Sequence, residues 1–316
     1  MAPGRALAAR IRVQLTQKMN EKRHPCKHTG CYFDAVALSD FCWQHIEDKD
    51  AYRKEVAQAV RQGRDFADCH FARVRFGELD LSGGRFAGCN FTAASFHKAT
   101  LRDCDFAAAT FRRANLEHAD LTAARLPRAS LAGANLDSAA LASAQLQGAV
   151  LDYANGSFAD FAKSDLSNAT LCHAILIGAS LQKAVLDGAN FAFANLKGVD
   201  ARGCRGKYAI FGAAHLYQAD FRDARLPEAN LVGCDARKSN FSGAQLYFIR
   251  PGSANFSEAN LQRANLQRAI FREADLSRAD LTGADVTAAV FQRARLVGLQ
   301  PADLDLTQNN TDGAER

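Results

Sequence analysis

Tryptophan occurs once and methionine twice in this chain of 316 residues. No stretch approaches the ~18 consecutive apolar residues of a membrane-spanning helix, so no membrane span is expected. The first residues lack the apolar centre of a secretory signal, and an exported protein is not expected either. Charge of one sign is also scarce. The 39 Lys and Arg exceed the 34 Asp and Glu by only five, too little alone to imply nucleic-acid binding. There is no Gly-rich phosphate loop and no nucleophile elbow, which argues against an enzyme. Nine cysteines is an odd number, and a chain of this size does not need disulfides to fold. A reducing, cytoplasmic setting is therefore expected.

What the chain does have is Ala, Leu and 21 Phe, arranged in a repeat. Reading every fifth residue from Phe66 to Leu306 gives 49 positions, of which 42 are Leu or Phe, and the phase never slips. Two residues before each lies a column that is almost entirely Ala, as in Ala114, Ala119 and Ala124. The residue between is usually Asn, Asp, Ser or Thr, so the unit reads Ala-(Asp/Asn)-Leu-x-x.

A period of five fits neither a helix nor a long strand. It suits a short extended piece followed by a corner. Ala and Leu/Phe, two apart, point to one side of the extended piece, and the Asp or Asn points to the other. Pro127 and Pro227 fall at the first corner position. Gly83, Gly88, Gly133 and others fall at the second, where a type II turn needs positive φ. Four corners close a coil of twenty residues. These units resemble the pentapeptide-repeat family over about residues 64–306. The resemblance implies a mainly β fold, a right-handed quadrilateral β-helix of about 12 coils, roughly 55–60 Å long at the spacing of stacked strands.

Five cysteines, Cys69, Cys89, Cys104, Cys204 and Cys234, fall in the Ala column and read as packing residues; Cys172 sits at a corner. The remaining three lie before the repeat, in Cys26-x4-Cys31-x10-Cys42-x2-His45. Two short-spaced ligand pairs suit tetrahedral zinc, and Phe33, Phe41 and Trp43 could form a miniature core. Four protein ligands leave no open position, so a structural zinc is expected on Cys26, Cys31, Cys42 and His45, with His28 or His24 as possible replacements for one of them. Leu7, Ile11, Leu15 and Met19 mark a basic amphipathic helix over residues 1–24. The zinc module covers 25–46. A helix over 47–63, with Tyr52, Val56 and Val60 on one face and Gly63 closing it, would cap the first coil. Residues 307–316 read as a polar tail.

Residues 64–306 carry 27 Lys and Arg against 25 Asp and Glu, a nearly neutral rod. Counting by twenty puts Asp120, Asp160 and Asp200 in one outward column, and Tyr153 and Phe193 at one corner two coils apart. The expected function is a non-enzymatic scaffold or adaptor presenting a rigid solenoid and a zinc module to a protein partner. The alternative comes from the resemblance, since some pentapeptide-repeat proteins mimic DNA and bind type II topoisomerases such as DNA gyrase. Neutral charge and the absence of a C-terminal dimerisation helix count against it. Direct nucleic-acid binding has no base-reading motif behind it and is not expected.

Overall fold

The computed structural model describes residues 24–315, so the expected N-terminal amphipathic helix lies outside the described residues. From Arg64 onward nearly every pentad repeats one conformation: a single extended bridge residue, an inward Leu or Phe, and a two-residue turn. The turn is closed by a backbone bond from the Ala column, such as Ala114 N–H to the Phe111 carbonyl at 2.9 Å. Its second residue has positive φ, and here the reading from glycines was too narrow. Asp68 (59°), Arg113 (56°) and Tyr153 (60°) adopt the same left-handed conformation as Gly133 (64°). Such a residue costs about 1–2 kcal/mol without glycine. The cost is offset because the same N–H is aimed at the next coil, as in Tyr153 N–H to the Cys172 carbonyl at 3.0 Å.

Coils stack in parallel, each bridge residue pairing with the one twenty positions on, from Asp65 with Arg85 to Arg295 with Glu315. The result is a β-solenoid whose coil holds four pentads. Among the described residues no strand is longer than one bridge residue, because each straight piece meets a corner before a second rung can form. Two rungs are missing, between Asp285 and Asp305 and between Arg250 and Ile270. Pro251 has no N–H to give to the Ile270 carbonyl.

The outward Asp/Asn column has a physical cause. In each pentad four backbone N–H groups are used by the turn and the neighbouring coils, and the N–H of the first corner residue is left over. The Asp or Asn two residues earlier accepts it, as Asn90 Oδ1 does from Thr92 at 3.0 Å and Asp165 Oδ1 from Ser167 at 2.9 Å. Pro127 and Pro227 have no such N–H, and the residues two before them are Arg125 and Arg225. Proline stands where no acceptor does.

The inward columns form one continuous core in which most Leu, Phe and Ala side chains are buried to 0–1% exposure. Near the start, Phe66 stacks on Phe86 and Phe71 on Phe91, with centroids 5.5 and 5.3 Å apart. Where the column holds Gly156 or Gly206, leucines fill the space. A Cβ on Gly156 would lie 2.9 Å from Leu176 Cδ2. The coils therefore stay regular through these gaps. Cys89, Cys104, Cys204 and Cys234 are buried in the Ala column, and Cys89 Sγ donates to the Phe66 carbonyl at 2.8 Å. Burial pushes the Cys104 thiol up to about 12.

Pairing does not end at Leu306. Asn310 bridges to Val290, and Leu306 is buried, so the expected polar tail extends the last coil. The ladder is made by backbone, so a polar pentad can join it. At the other end, helix α1 (Lys49–Arg61) is capped by Asp48, which accepts the Ala51 N–H at 2.8 Å. Gly63, at φ 71°, turns the chain out of it. Tyr52, Val56 and Val60 face inward and join the core that begins with Phe66 and Phe71. This helix covers the apolar end of the first coil.

Candidate metal centre and exposed aromatic ridge

Residues 25–46 form a knuckled loop closed by a bridge between Pro25 and Asp34 and ending in a 3-10 turn, Trp43–His45. The loop is held by backbone bonds from Cys26 N–H to the Phe33 carbonyl (2.9 Å) and from Val36 N–H to the Phe41 carbonyl (3.0 Å). These place the donor atoms of Cys26, Cys31, Cys42 and His45 within 4.8 Å of one another. Cys31 Sγ lies 3.7 Å from Cys42 Sγ, and His45 Nδ1 lies 3.4 and 3.3 Å from the Cys26 and Cys42 sulfurs. Ligands about 2.3 Å from a tetrahedral zinc would be roughly 3.8 Å apart, so the donor set fits such an ion.

Neither alternative histidine is in this cluster. His28 stacks flat on His45, with centroids 3.8 Å apart and planes 3° apart, while His24 Nδ1 is 3.3 Å from the Pro25 carbonyl. Burial opposes ionisation of Cys26. It is outweighed by the N–H groups of Cys42 and His28 and the side chains of His45 and Cys31, which bring that thiol down to about 6. For Cys31 the Phe33 N–H favours the thiolate, but burial and the neighbouring sulfurs prevail and raise it. Cys26 is thus prepared to bind as a thiolate, while Cys31 needs a cation to hold its charge.

The loop is fixed to the solenoid. Tyr52 donates to the Ala37 carbonyl at 2.9 Å, Ala37 N–H donates to the His70 carbonyl at 2.8 Å, and the Arg73 guanidinium lies 4.2 Å from the Phe33 ring centre. The Cys/His cluster therefore shares a rigid frame with the first coil.

On the solenoid surface the 20-residue register does something that residue counting only half anticipated. Tyr153 and Phe193 sit at one corner, and His173 fills the coil between them. The three rings stack in parallel, 5.0 Å apart at each step, with planes within 5°. Tyr153 is 68% exposed and Phe193 56%; Ile175 and Phe158 lie nearby, also exposed. Phe158 leans over Gly178, where a Cβ would lie 2.9 Å from its ring. Sequence reading missed His173 because a histidine does not register as apolar. The other histidine pair, His97 and His118, comes to 6.0 Å between centroids, with Glu117 3.6 Å from His97 Nδ1.

Pentapeptide repeats match residues 176–205, 214–247 and 254–293 in eight copies, and the pentapeptide repeat region matches 63–136 and 80–158. The chain belongs to the pentapeptide-repeat family. Among solved structures of that family, it is similar to HetL, a pentapeptide repeat protein involved in heterocyst differentiation regulation from the cyanobacterium Nostoc sp. strain PCC 7120. Identity is 28% and the TM-score 0.50, over 78% of this chain and 96% of HetL. A second is QnrB1, a plasmid-mediated fluoroquinolone resistance protein, at 16% identity and TM-score 0.23, over 76% of this chain and 90% of QnrB1. A third is Rfr23 from the cyanobacterium Cyanothece 51142, at 22% identity and TM-score 0.19, over 37% of this chain and 86% of Rfr23. No curated protein matches the chain. The family matches begin at residue 63, so the Cys/His loop lies outside them. Among the described residues, no helix is long and apolar enough to cross a membrane.

Proposed function

We propose that this pentapeptide-repeat protein is a non-enzymatic scaffold that binds a protein partner through the aromatic ridge Tyr153–His173–Phe193. The observation that carries this is the exposure of stacked rings on a regular coil, where no loop or helix among the described residues covers them. Apolar surface gathered in this way marks a contact site. The stack is pre-ordered, so a partner loses little side-chain entropy in binding it. The rest of the solenoid supplies rigidity, and the reading takes it as a right-handed quadrilateral of about 12 coils.

In the same reading the Cys/His loop is a structural zinc site, held by Cys26, Cys31, Cys42 and His45. Zinc would link the two ends of a loop too short to fold on a core of its own. Four protein donors fill a tetrahedron, which is the arrangement of a structural ion. The nine unpaired thiols support a reducing compartment, the cytoplasm.

Topoisomerase binding by DNA mimicry is the weaker reading. A DNA mimic needs a line of uncompensated negative charge. Here Arg102 pairs with Asp120, Arg202 with Asp200 and Arg222 with Asp220, so half of the six Asp in that column are paired by its own corners. The test is affinity capture from the organism of origin with the intact chain and with a Tyr153→Ser/Phe193→Ser variant. A protein retained by the first and lost from the second, at unchanged melting temperature, is the expected result. An identical set of captured proteins from both would remove the ridge as the contact surface.

A further inference from the structure

We propose that the cleft between the Cys/His loop and the first three coils binds an acidic segment of the partner, an extended stretch with two or three carboxylates. This rests on the scaffold reading above and adds the chemistry of the partner. The cleft, about 1010 Å³, has Trp43, Gln44 and Lys49 on one side and Arg73, Arg75 and Arg113 on the solenoid wall. Among the described residues Glu117 is the one carboxylate that lines it.

The cations in this cleft are unspent. Many arginines on the solenoid hold a carboxylate of their own, as Arg125 holds Asp105 at 3.0 Å and Arg237 holds Asp235 at 2.7 Å. Arg75 and Arg113 are exposed and form no ion pair among the described residues. Arg73 lays its face on the Phe33 ring, a contact that uses no N–H. Lys49 donates to the Ile46 carbonyl at 2.9 Å, again without a carboxylate. Glu117 lies beside His97, whose Nδ1 is buried and has no hydrogen-bond partner. Guanidinium groups held open in a cleft are matched by carboxylates, which they take in paired N–H bonds.

The dimensions select a peptide. Arg73 and Arg113 are two coils apart, about 10 Å along the solenoid, a distance spanned by roughly three extended residues. Beyond Arg113 the same corner continues as Gly133, Tyr153, His173 and Phe193, with no fixed cation. A single-stranded nucleic acid would need the basic track to go on. Instead the cleft leads to the aromatic ridge, another two coils away, so one partner can place acidic residues in the first and an apolar side chain on the second.

The test is fluorescence anisotropy with the full chain and labelled hexaglutamate, hexaglutamine and a ten-residue oligothymidylate. Hexaglutamate should bind saturably and hexaglutamine should not. An Arg75→Gln/Arg113→Gln variant should weaken binding at least tenfold, while the charge-matched Arg225→Gln/Arg250→Gln variant should bind like the parent. Equal losses in both variants would reduce the effect to net charge and overturn the proposal, as would no saturable hexaglutamate binding. Tighter binding of the oligothymidylate would overturn it in favour of nucleic acid. A captured partner that binds the Arg75/Arg113 variant undiminished would remove the cleft and leave the ridge standing. Loss of capture in the ridge variant alone speaks only to the scaffold reading.

Discussion

At the scale of single residues, the Asp/Asn column accepts a backbone N–H that the turn and the coil-to-coil ladder leave over. Asn240 accepts the Ser242 N–H at 3.0 Å. Asn240→Ala should cost about 1 kcal/mol, the usual loss when a half-buried donor loses its partner. Arg225→Ala, on the same type of position but ahead of Pro227, should change stability by less than about 0.5 kcal/mol. Thermal unfolding followed by circular dichroism compares the two, and equal losses would show that the acceptor role is not what selects Asp and Asn. The column itself was evident from periodicity. Its cause was not, because it depends on which N–H groups the coil-to-coil ladder leaves over, and that appears only when the coils are stacked.

The same contacts fix a pH dependence. For Asp165 burial opposes the charge, but the Ser167 hydroxyl and N–H and the Gln147 amide outweigh it and hold the carboxyl below its usual range. Asp280 is lowered in the same way by Thr282 and Gln262, and Asp285 by Thr287 and Gln267 with little burial to oppose them. A carboxyl with a lower pKa in the folded chain adds stability that is fully present above its unfolded value. That stability is lost as pH falls through the lowered folded value. The melting temperature should therefore be level above about pH 5 and fall below about pH 4. Replacing Asp165, Asp280 and Asp285 by Asn keeps the acceptor oxygen and removes the titration, so the acid slope should become shallower. A slope unchanged in the triple variant would assign acid sensitivity to other groups.

At the scale of elements, α1 was legible from Tyr52, Val56 and Val60 at helical spacing, although it starts at Lys49 because Asp48 caps it there. The three clustered cysteines were legible from spacing. What spacing could not decide is which histidine completes the quartet, since His24, His28 and His45 all lie within reach of the loop. The fold decides through the 3-10 turn that turns His45 toward the sulfurs and the stacking of His28 on its outer face. Elemental analysis of untagged protein should give one zinc per chain. Chelation, or Cys42→Ser, should abolish hydrogen-exchange protection in residues 25–46 and leave the solenoid's circular dichroism unchanged, because the coil ladder makes no bond to the metal ligands. Metal-free protein with an equally protected loop would mean that hydrophobic contacts through Val36 and Trp43 suffice to order it.

At the scale of the whole molecule, repetition makes the solenoid tolerant of length and intolerant of phase. Each coil touches only its neighbours, so stability is nearly a sum over coils and interfaces. Deleting residues 120–139 removes one complete turn of the 20-residue register and should yield a folded, slightly less stable rod in which cleft and ridge still share a corner. Deleting residues 120–129 also preserves the five-residue phase, so the inward columns still match and the chain should fold. It shifts everything after the deletion by two of four corners, which puts Tyr153, His173 and Phe193 on the side opposite the cleft. Both deletions should show a cooperative melt, but only the first should keep the affinity of a captured partner near that of the parent, while the second should weaken it at least tenfold. The comparison separates folding from alignment, since the shorter deletion removes fewer residues and yet should do more damage to binding. If both bind equally, the partner uses ridge or cleft alone, and the shared corner has no part in recognition.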